Sequence, residues 1–201
     1  MKRKEADVIV VAAGPAGLAA SIAAAESSLR VISFEKSNVT GGTANMGMGI
    51  FAAGSSYQKE AFVGITPQEA FEKHMEFTHY RVNAALIKTY FEKSADTIEW
   101  LKSMGVEFFG AYKYFEGSEQ TWHIVKNAYG APGPRAASNM YKVMTQKALE
   151  LGVEFLFETP VQELIVENGR VIGAVGKDKT GKTVCSQILC RGLWNPGRAA
   201  N

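Results

Sequence analysis

Residues 7–34 constrain the fold more than any other stretch. Asp7-Val8-Ile9-Val10-Val11 is a continuous apolar run of the kind that forms a strand buried on both faces. Residues 15–28 are rich in alanine, with Leu18 and Ile22 at helical spacing, and residues 29–34 are a second apolar run. Strand, helix and strand within about thirty residues predict a βαβ unit, parallel and right-handed.

The rest of the chain alternates in the same way. Residues 40–49 are a loop with little side-chain bulk. Thr66-Pro67-Gln68-Glu69 combines a capping threonine, proline at the first helical position and a capping-box glutamate, predicting a helix to about Tyr80. Asn83 caps a longer helix through Met104 that Gly105 ends. Residues 107–134 hold aromatics, glycine and proline without clear period and read as a structured loop; Ser138 opens another helix that Gly152 stops. Strands are expected at 153–158, 161–167, 170–177 and 183–189, with hairpin signals at Asn168-Gly169 and Lys179-Thr180-Gly181. The pattern is α/β, a parallel βαβ core with an antiparallel β-meander excursion, and shows neither an internal repeat nor a convincing domain boundary.

Composition narrows the class. With 46% hydrophobic and 21% charged residues, the 201-residue chain is globular rather than disordered. Its 22 basic against 20 acidic residues leave a net charge of +2, which gives no reason to expect nucleic acid or an anionic membrane as partner. The basic Met1-Lys2-Arg3-Lys4 before an apolar run resembles a secretory signal. Glu5 and Asp7 interrupt its basic start, and Gly14-Pro15-Ala16-Gly17 breaks the apolar segment, so neither a signal nor a membrane span is expected. Cys185 and Cys190 make no disulfide framework; a reducing, cytoplasmic setting is expected, and two thiols do not complete a zinc site. Of the 20 glycines, eight fall in the first 64 residues.

Those glycines carry the chemistry. A nucleotide diphosphate needs a helix N-terminus it can approach closely, where free N–H groups and the helix dipole offset its charge. The turn Ala12-Ala13-Gly14-Pro15-Ala16-Gly17 offers this, with Gly14 where phosphates would pass and Gly17 where helix and strand pack. It departs from the G-x-G-x-x-G fingerprint at Ala12, whose methyl group is expected to weaken binding. Glu35, followed by Lys36, ends the second strand; a carboxylate there accepts hydrogen bonds from ribose hydroxyls, while a solvated strand-end acid is the plainer alternative. A nicotinamide-binding domain would proceed to another crossover helix. The glycine-rich loop from Gly41 to Gly49 instead lets a flat ring system lie against backbone, which suits a flavin.

DVIVVAAGPAGLAA, the Phe34-Glu35-Lys36 strand end, GGTANMGMGIFAAGS and Glu158-Thr159-Pro160-Val161-Gln162-Glu163-Leu164 resemble the fumarate reductase/succinate dehydrogenase flavoprotein family, the FAD-dependent oxidoreductase 2 family. The resemblance covers about residues 7–189. It implies a Rossmann-like FAD-binding domain of the glutathione-reductase (GR2) type. It implies that Gly14, Pro15, Ala16 and Gly17 meet the FAD pyrophosphate and that Glu35, with Lys36 beside it, holds the adenosine ribose. It also implies that Gly41, Gly42, Thr43, Asn45 and Gly49 lie along the flavin side and that the Val161 backbone touches adenine. Some members attach FAD through a histidine in this loop; Gly42 stands at that position, so non-covalent FAD is expected. Members exchange a hydride between the flavin and a C–C bond of a small substrate, with an electron donor; the sequence identifies neither molecule and assigns no catalytic residue. A nucleotide-binding module without catalysis and a nicotinamide-dependent dehydrogenase are the alternatives.

The resemblance ends before the last residues. Members continue into a glycine-rich turn, a capping domain with the catalytic residues and a final FAD-binding segment, so the FAD-binding domain of residues 1–189 is expected to be incomplete. Residues 190–201 do not match. One codon string for Cys190 to Asn195, TGC AGG GGG CTT TGG AAT, read one base later gives Ala-Gly-Gly-Phe-Gly, the family's turn. A frameshift in the gene or its sequencing is therefore expected, and resequencing the DNA tests it.

His74 and His79 fall on the helix expected to reach Tyr80, off the spacing of metal pairs, and read as surface or packing residues. His123 lies in a stretch that would face the flavin, and Arg135 precedes a helix where an anion would sit; a structural turn is the plainer reading of Arg135.

Overall fold

The computed structural model describes residues 2–181 and 183–188. In chain order the elements are β1 (Lys2–Ala6), β2 (Val8–Val11), α1 (Pro15–Glu26), β3 (Val31–Phe34), β4 (Gly49–Phe51), α2 (Ser56–Glu60), α3 (Pro67–Phe77), α4 (Ala84–Ser103), β5 (Phe108–Lys113), β6 (Gln120–Val125), α5 (Ala137–Glu150), β7 (Glu154–Leu156), β8 (Val161–Glu167), β9 (Arg170–Lys177) and β10 (Thr183–Ile188). A 3-10 turn over Gly42–Met46 precedes β4. The chain forms two compact units, one from residues up to Gly42 and from Thr145 onward, the other from Thr43 to Met144. The second is an insertion in the chain of the first, where the sequence reading expects one domain over residues 1–189.

In the first unit β2, β3 and β7 form a parallel sheet with β3 central, Val8 facing Val31 and Phe34 facing Leu156. All four residues of β3 are buried, as its unbroken apolar run requires. A second sheet has the order β1-β10-β9-β8, in which β8, β9 and β10 are the expected antiparallel meander. Ala6, Ile32, Phe34 and Ala174 form the core, with Ile9, Leu156 and Val161 packed on it. Gly176 makes room for Phe34, since a Cβ there would stand 2.6 Å from the Phe34 ring.

Sequence pattern does not show β1. Its charged residues look unlike a strand, and it forms by pairing in parallel with β10, from Lys2 opposite Val184 to Ala6 opposite Ile188. β7 is shorter than the run 153–158 and belongs to the parallel sheet. The frameshift expected for residues 190–201 lies outside the described residues.

In the second unit Thr66 and Glu69 close the expected capping box: the Thr66 hydroxyl accepts from the Glu69 N–H, and the Glu69 carboxylate accepts from the Thr66 N–H. Asn83 caps α4 by accepting from the Leu86 N–H at 3.0 Å. The stretch expected to be a loop, 107–134, contains β5 and β6, which pair with each other while β6 also pairs with β4. Their period is hidden because the register shifts between Phe108 and Gly110, and Gly110 sits at φ +138°. Ala53, Ile65, Ala70 and Phe91 form one apolar cluster of this unit's core. His79 lies past the end of α3, at φ +51° and exposed, not on a helix; His74 packs against the Phe91 ring at 5.4 Å. No described helix is long and apolar enough to cross a membrane.

Candidate functional site

The end of β2 turns sharply into α1, and the backbone accounts for each small residue in the turn. Ala12 sits at φ +80°, its N–H donating to the Phe34 carbonyl at 2.9 Å. The fingerprint places glycine here because this left-handed conformation strains any residue with a Cβ. Ala12→Gly is therefore expected to raise the melting temperature by about 1–2 °C, about 1 kcal/mol of relieved strain against a smaller cost in unfolded-chain entropy. An unchanged or lower melting temperature would contradict the strain.

Gly17 and Gly14 are glycines for different reasons. A Cβ on Gly17 would stand 1.8 Å from the Ala12 carbonyl oxygen, so the turn and the helix pack only without a side chain. Gly14 has an ordinary φ of −68°, and a Cβ there would meet nothing within 4 Å. No described residue fills that space. Gly14 caps α1 with no side-chain hydrogen bond, and the first intrahelical bond is Leu18 N–H to the Gly14 carbonyl at 2.8 Å. With Pro15 at the first helical position, the N–H groups of Ala16 and Gly17 remain for an external acceptor.

Gly41 and Gly42 approach the same point. Both have positive φ, +86° and +53°, and the Gly41 N–H donates to the Ala13 carbonyl at 2.8 Å. A Cβ on Gly42 would lie 4.0 Å from the Gly14 Cα, so any side chain at 42 would fill the gap above Gly14. Two stretches distant in sequence thus face each other through bare backbone.

Glu35 is buried, 5% exposed, rather than a solvated strand-end acid. One carboxylate oxygen accepts from the Ala13 N–H and the other from the Ser37 N–H, each at 2.8 Å. A carboxylate has about four lone-pair sites, so capacity for ribose hydroxyls remains. The Glu35 carbonyl accepts from the Thr159 N–H at 2.9 Å, and the Ser37 carbonyl from the Glu158 N–H at 3.0 Å. These bonds bring the segment leading into Val161 beside the end of β3. Lys36 is exposed and Val161 half-buried.

Thr43, Asn45 and Gly49 belong to the second unit. Thr43 is exposed and Asn45 half-buried within the 3-10 turn. A Cβ on Gly49 would stand 2.0 Å from the His123 carbonyl oxygen, so the pairing of β4 with β6 demands this glycine whatever lies beside it.

His123 is a core residue, not the loop residue its surroundings suggested. It is wholly buried on β6, with Nδ1 3.1 Å from the Thr121 carbonyl and Nε2 2.6 Å from the Ser55 hydroxyl. Nδ1–H donating to the carbonyl makes Nε2 the acceptor of the Ser55 O–H. Burial lowers its pKa, with the Thr121 carbonyl acting weakly in the opposite sense. The unfolded chain then takes up the proton first, so the His123 contribution to stability is constant above about pH 6.5 and is lost as the pH drops below it. Replacing His123 by Gln is expected to remove that part of the acid slope in melting experiments from pH 7 to 5; an unaltered slope would assign it elsewhere. Arg135 is exposed at φ +64°, its carbonyl accepting from the Ser138 N–H at 3.0 Å, the structural turn that was the plainer reading.

The FAD binding domain family's model matches residues 7–189. The chain belongs to that family. Vinyl phenol reductase of Lactiplantibacillus plantarum is 33% identical over 158 residues, 79% of this chain and 30% of the relative. Fumarate reductase (cytochrome) of Shewanella frigidimarina is 35% identical over 102 residues, 50% of this chain and 18% of the relative. The open conformation of a flavocytochrome c3 fumarate reductase superposes with a TM-score of 0.79 at 25% identity, over 92% of this chain and 32% of that one. The chain thus spans less than a third of each. It is FAD-binding-domain sequence of a flavoprotein like the fumarate reductases, with FAD as cofactor. The first unit fits that cofactor: the gap between Gly14 and Gly42, at a helix N-terminus with spare N–H groups, is one that a single Cβ on Gly42 would occupy.

Proposed function

We propose that the chain is the FAD-holding part of an oxidoreductase in which non-covalently bound FAD exchanges a hydride with an activated C–C bond of a small substrate. The single observation that carries the reading is the open space at Gly14, where a Cβ would meet nothing within 4 Å among the described residues. In this reading the Ala16 and Gly17 amides neutralise the diphosphate at the α1 N-terminus. Gly42 lets the diphosphate pass, and Glu35 accepts from ribose hydroxyls with the two lone-pair sites its backbone donors leave. The segment before Val161 flanks the adenine. Gly42 has no side chain to bond to a flavin, which supports non-covalent attachment. FAD supplies hydride chemistry when bound; this chain's residues bind, orient and screen charge. Reductases named for vinyl phenol, fumarate and digoxin among the relatives support reduction of a conjugated small molecule, an activity of the whole protein.

Acid precipitation of purified protein tests the attachment. Flavin absorbance is expected in the supernatant, and flavin retained by the pellet would refute the non-covalent reading. FAD at one hundred times its Kd is expected to stabilise the fold by about 2.7 kcal/mol, a rise of several degrees in melting temperature. No rise at saturating FAD would sink the binding reading. Turnover of fumarate or another conjugated acid with a reduced dye, measured on the whole protein, tests the chemistry.

A further inference from the structure

We propose that the hydroxyl pair of Thr40 and Thr145 sets the position of the Gly41–Gly42 turn over Gly14, making Thr145 of α5 a positioning residue for the FAD diphosphate. The inference rests on the FAD reading above and deepens it. Thr40 is buried, and its Oγ1 lies 2.6 Å from the Thr145 Oγ1. Gly41 and Gly42, the two residues that follow Thr40, have no side chains to anchor them and adopt the conformation that glycine leaves most readily. At least two contacts from outside fix their position. The Gly41 N–H bonds to the Ala13 carbonyl, and Thr40 bonds to α5.

The first of these contacts is itself held, because the Ala13 N–H is bonded to the Glu35 carboxylate. A run of hydrogen bonds therefore joins Thr145, Thr40, the glycine turn, the fingerprint turn and Glu35. Thr145 enters that run from α5, a helix outside the βαβ unit. The position of Gly42 beside Gly14, and so the room available to a diphosphate, depends on the contact of the two threonine hydroxyls together with the Gly41–Ala13 bond.

Valine replaces threonine without changing its shape, which gives a direct test. Apolar carbons meet at about 3.5–4.0 Å, so a valine pair packs but holds the turn about 1 Å farther from α5 than the 2.6 Å hydroxyl contact does. Titrations of the full chain with FAD, ADP and adenosine would compare wild type with Thr40→Val/Thr145→Val and Thr40→Ser/Thr145→Ser. The valine pair is expected to weaken FAD and ADP about three- to tenfold while leaving adenosine within twofold. The serine pair, which keeps both hydroxyls, is expected to restore FAD and ADP to within about twofold of wild type. Unchanged FAD and ADP affinity in the valine pair, or an equal loss for adenosine, overturns the inference. If the valine pair fails to fold, Thr145→Val alone carries the same comparison of ADP with adenosine. Wild-type protein that binds neither FAD nor ADP overturns the FAD reading, and this inference with it.

Discussion

Gly17→Ala is expected to disrupt the fold, whereas Gly14→Ala, three residues earlier, is expected to spare it and weaken FAD binding. At Gly17 the new methyl carbon would stand 1.8 Å from the Ala12 carbonyl oxygen, with the Val10 side chain 3.3 Å away. Both are parts of the chain that hold the β2–α1 turn, so relief requires the helix to move off the sheet. The cost exceeds the usual 1–3 kcal/mol of overpacking, because the obstacle is backbone and not a flexible side chain. Insoluble protein, or a melting temperature lowered by at least about 10 °C, is the expected outcome. At Gly14 the methyl group meets open space, and the helix loses only the small preference for glycine over alanine as cap, about 1 kcal/mol or less. The same methyl projects where the diphosphate would lie. A weakening of FAD by at least about tenfold corresponds to 1.4 kcal/mol of lost contact. A Gly17→Ala protein that melts like wild type would refute the packing; a Gly14→Ala protein that binds FAD normally would move the diphosphate elsewhere.

Glu35→Ala is the second large effect. It removes the acceptor of two backbone donors at once, the Ala13 and Ser37 N–H groups, at a site only 5% exposed. Each unpaired buried donor costs about 1–3 kcal/mol. The sum lowers the melting temperature by roughly 5 °C or more in a chain of this size. Glu35→Gln keeps the shape and one acceptor oxygen but turns an NH2 toward the other donor, so about half the loss is expected. Adenosine affinity falls in both variants, because the carboxylate that would meet the ribose also holds the turn beneath it. Full stability in the alanine variant, measured by denaturant titration, would show that water replaces the carboxylate at both donors. Ordinary binding with lowered stability would leave Glu35 an anchor alone.

Much of the site was legible in the amino-acid order. Gly14, Gly17, Gly41 and Gly42 stand out because a close backbone approach tolerates few other residues, and such requirements are local. Glu35 was legible as an acid at a strand end, but its burial was not. That follows from the Ala13 and Ser37 amides closing on it. Gly49 reads the same as its neighbours in a glycine-rich loop, yet the His123 carbonyl across the sheet explains it. His123 itself looked like a loop residue because the register shift in β5 hides the strand pairing around it. Thr40 and Thr145 carried no signal, being two ordinary threonines whose hydroxyls meet only after α5 has packed.

The sequence by itself determined the βαβ unit, the capped helices α3 and α4, the β8–β9–β10 meander and the bare turn at the start of α1. Each is written in neighbouring residues, through apolar period, capping chemistry or the conformations open to glycine. Tertiary structure decided what distance in the chain conceals. It paired the charged β1 with β10, set Gly42 over Gly14, buried Glu35 and drew Thr145 to Thr40. These contacts form only where separate elements meet, and the free energy that selects them belongs to the assembled core rather than to any one segment.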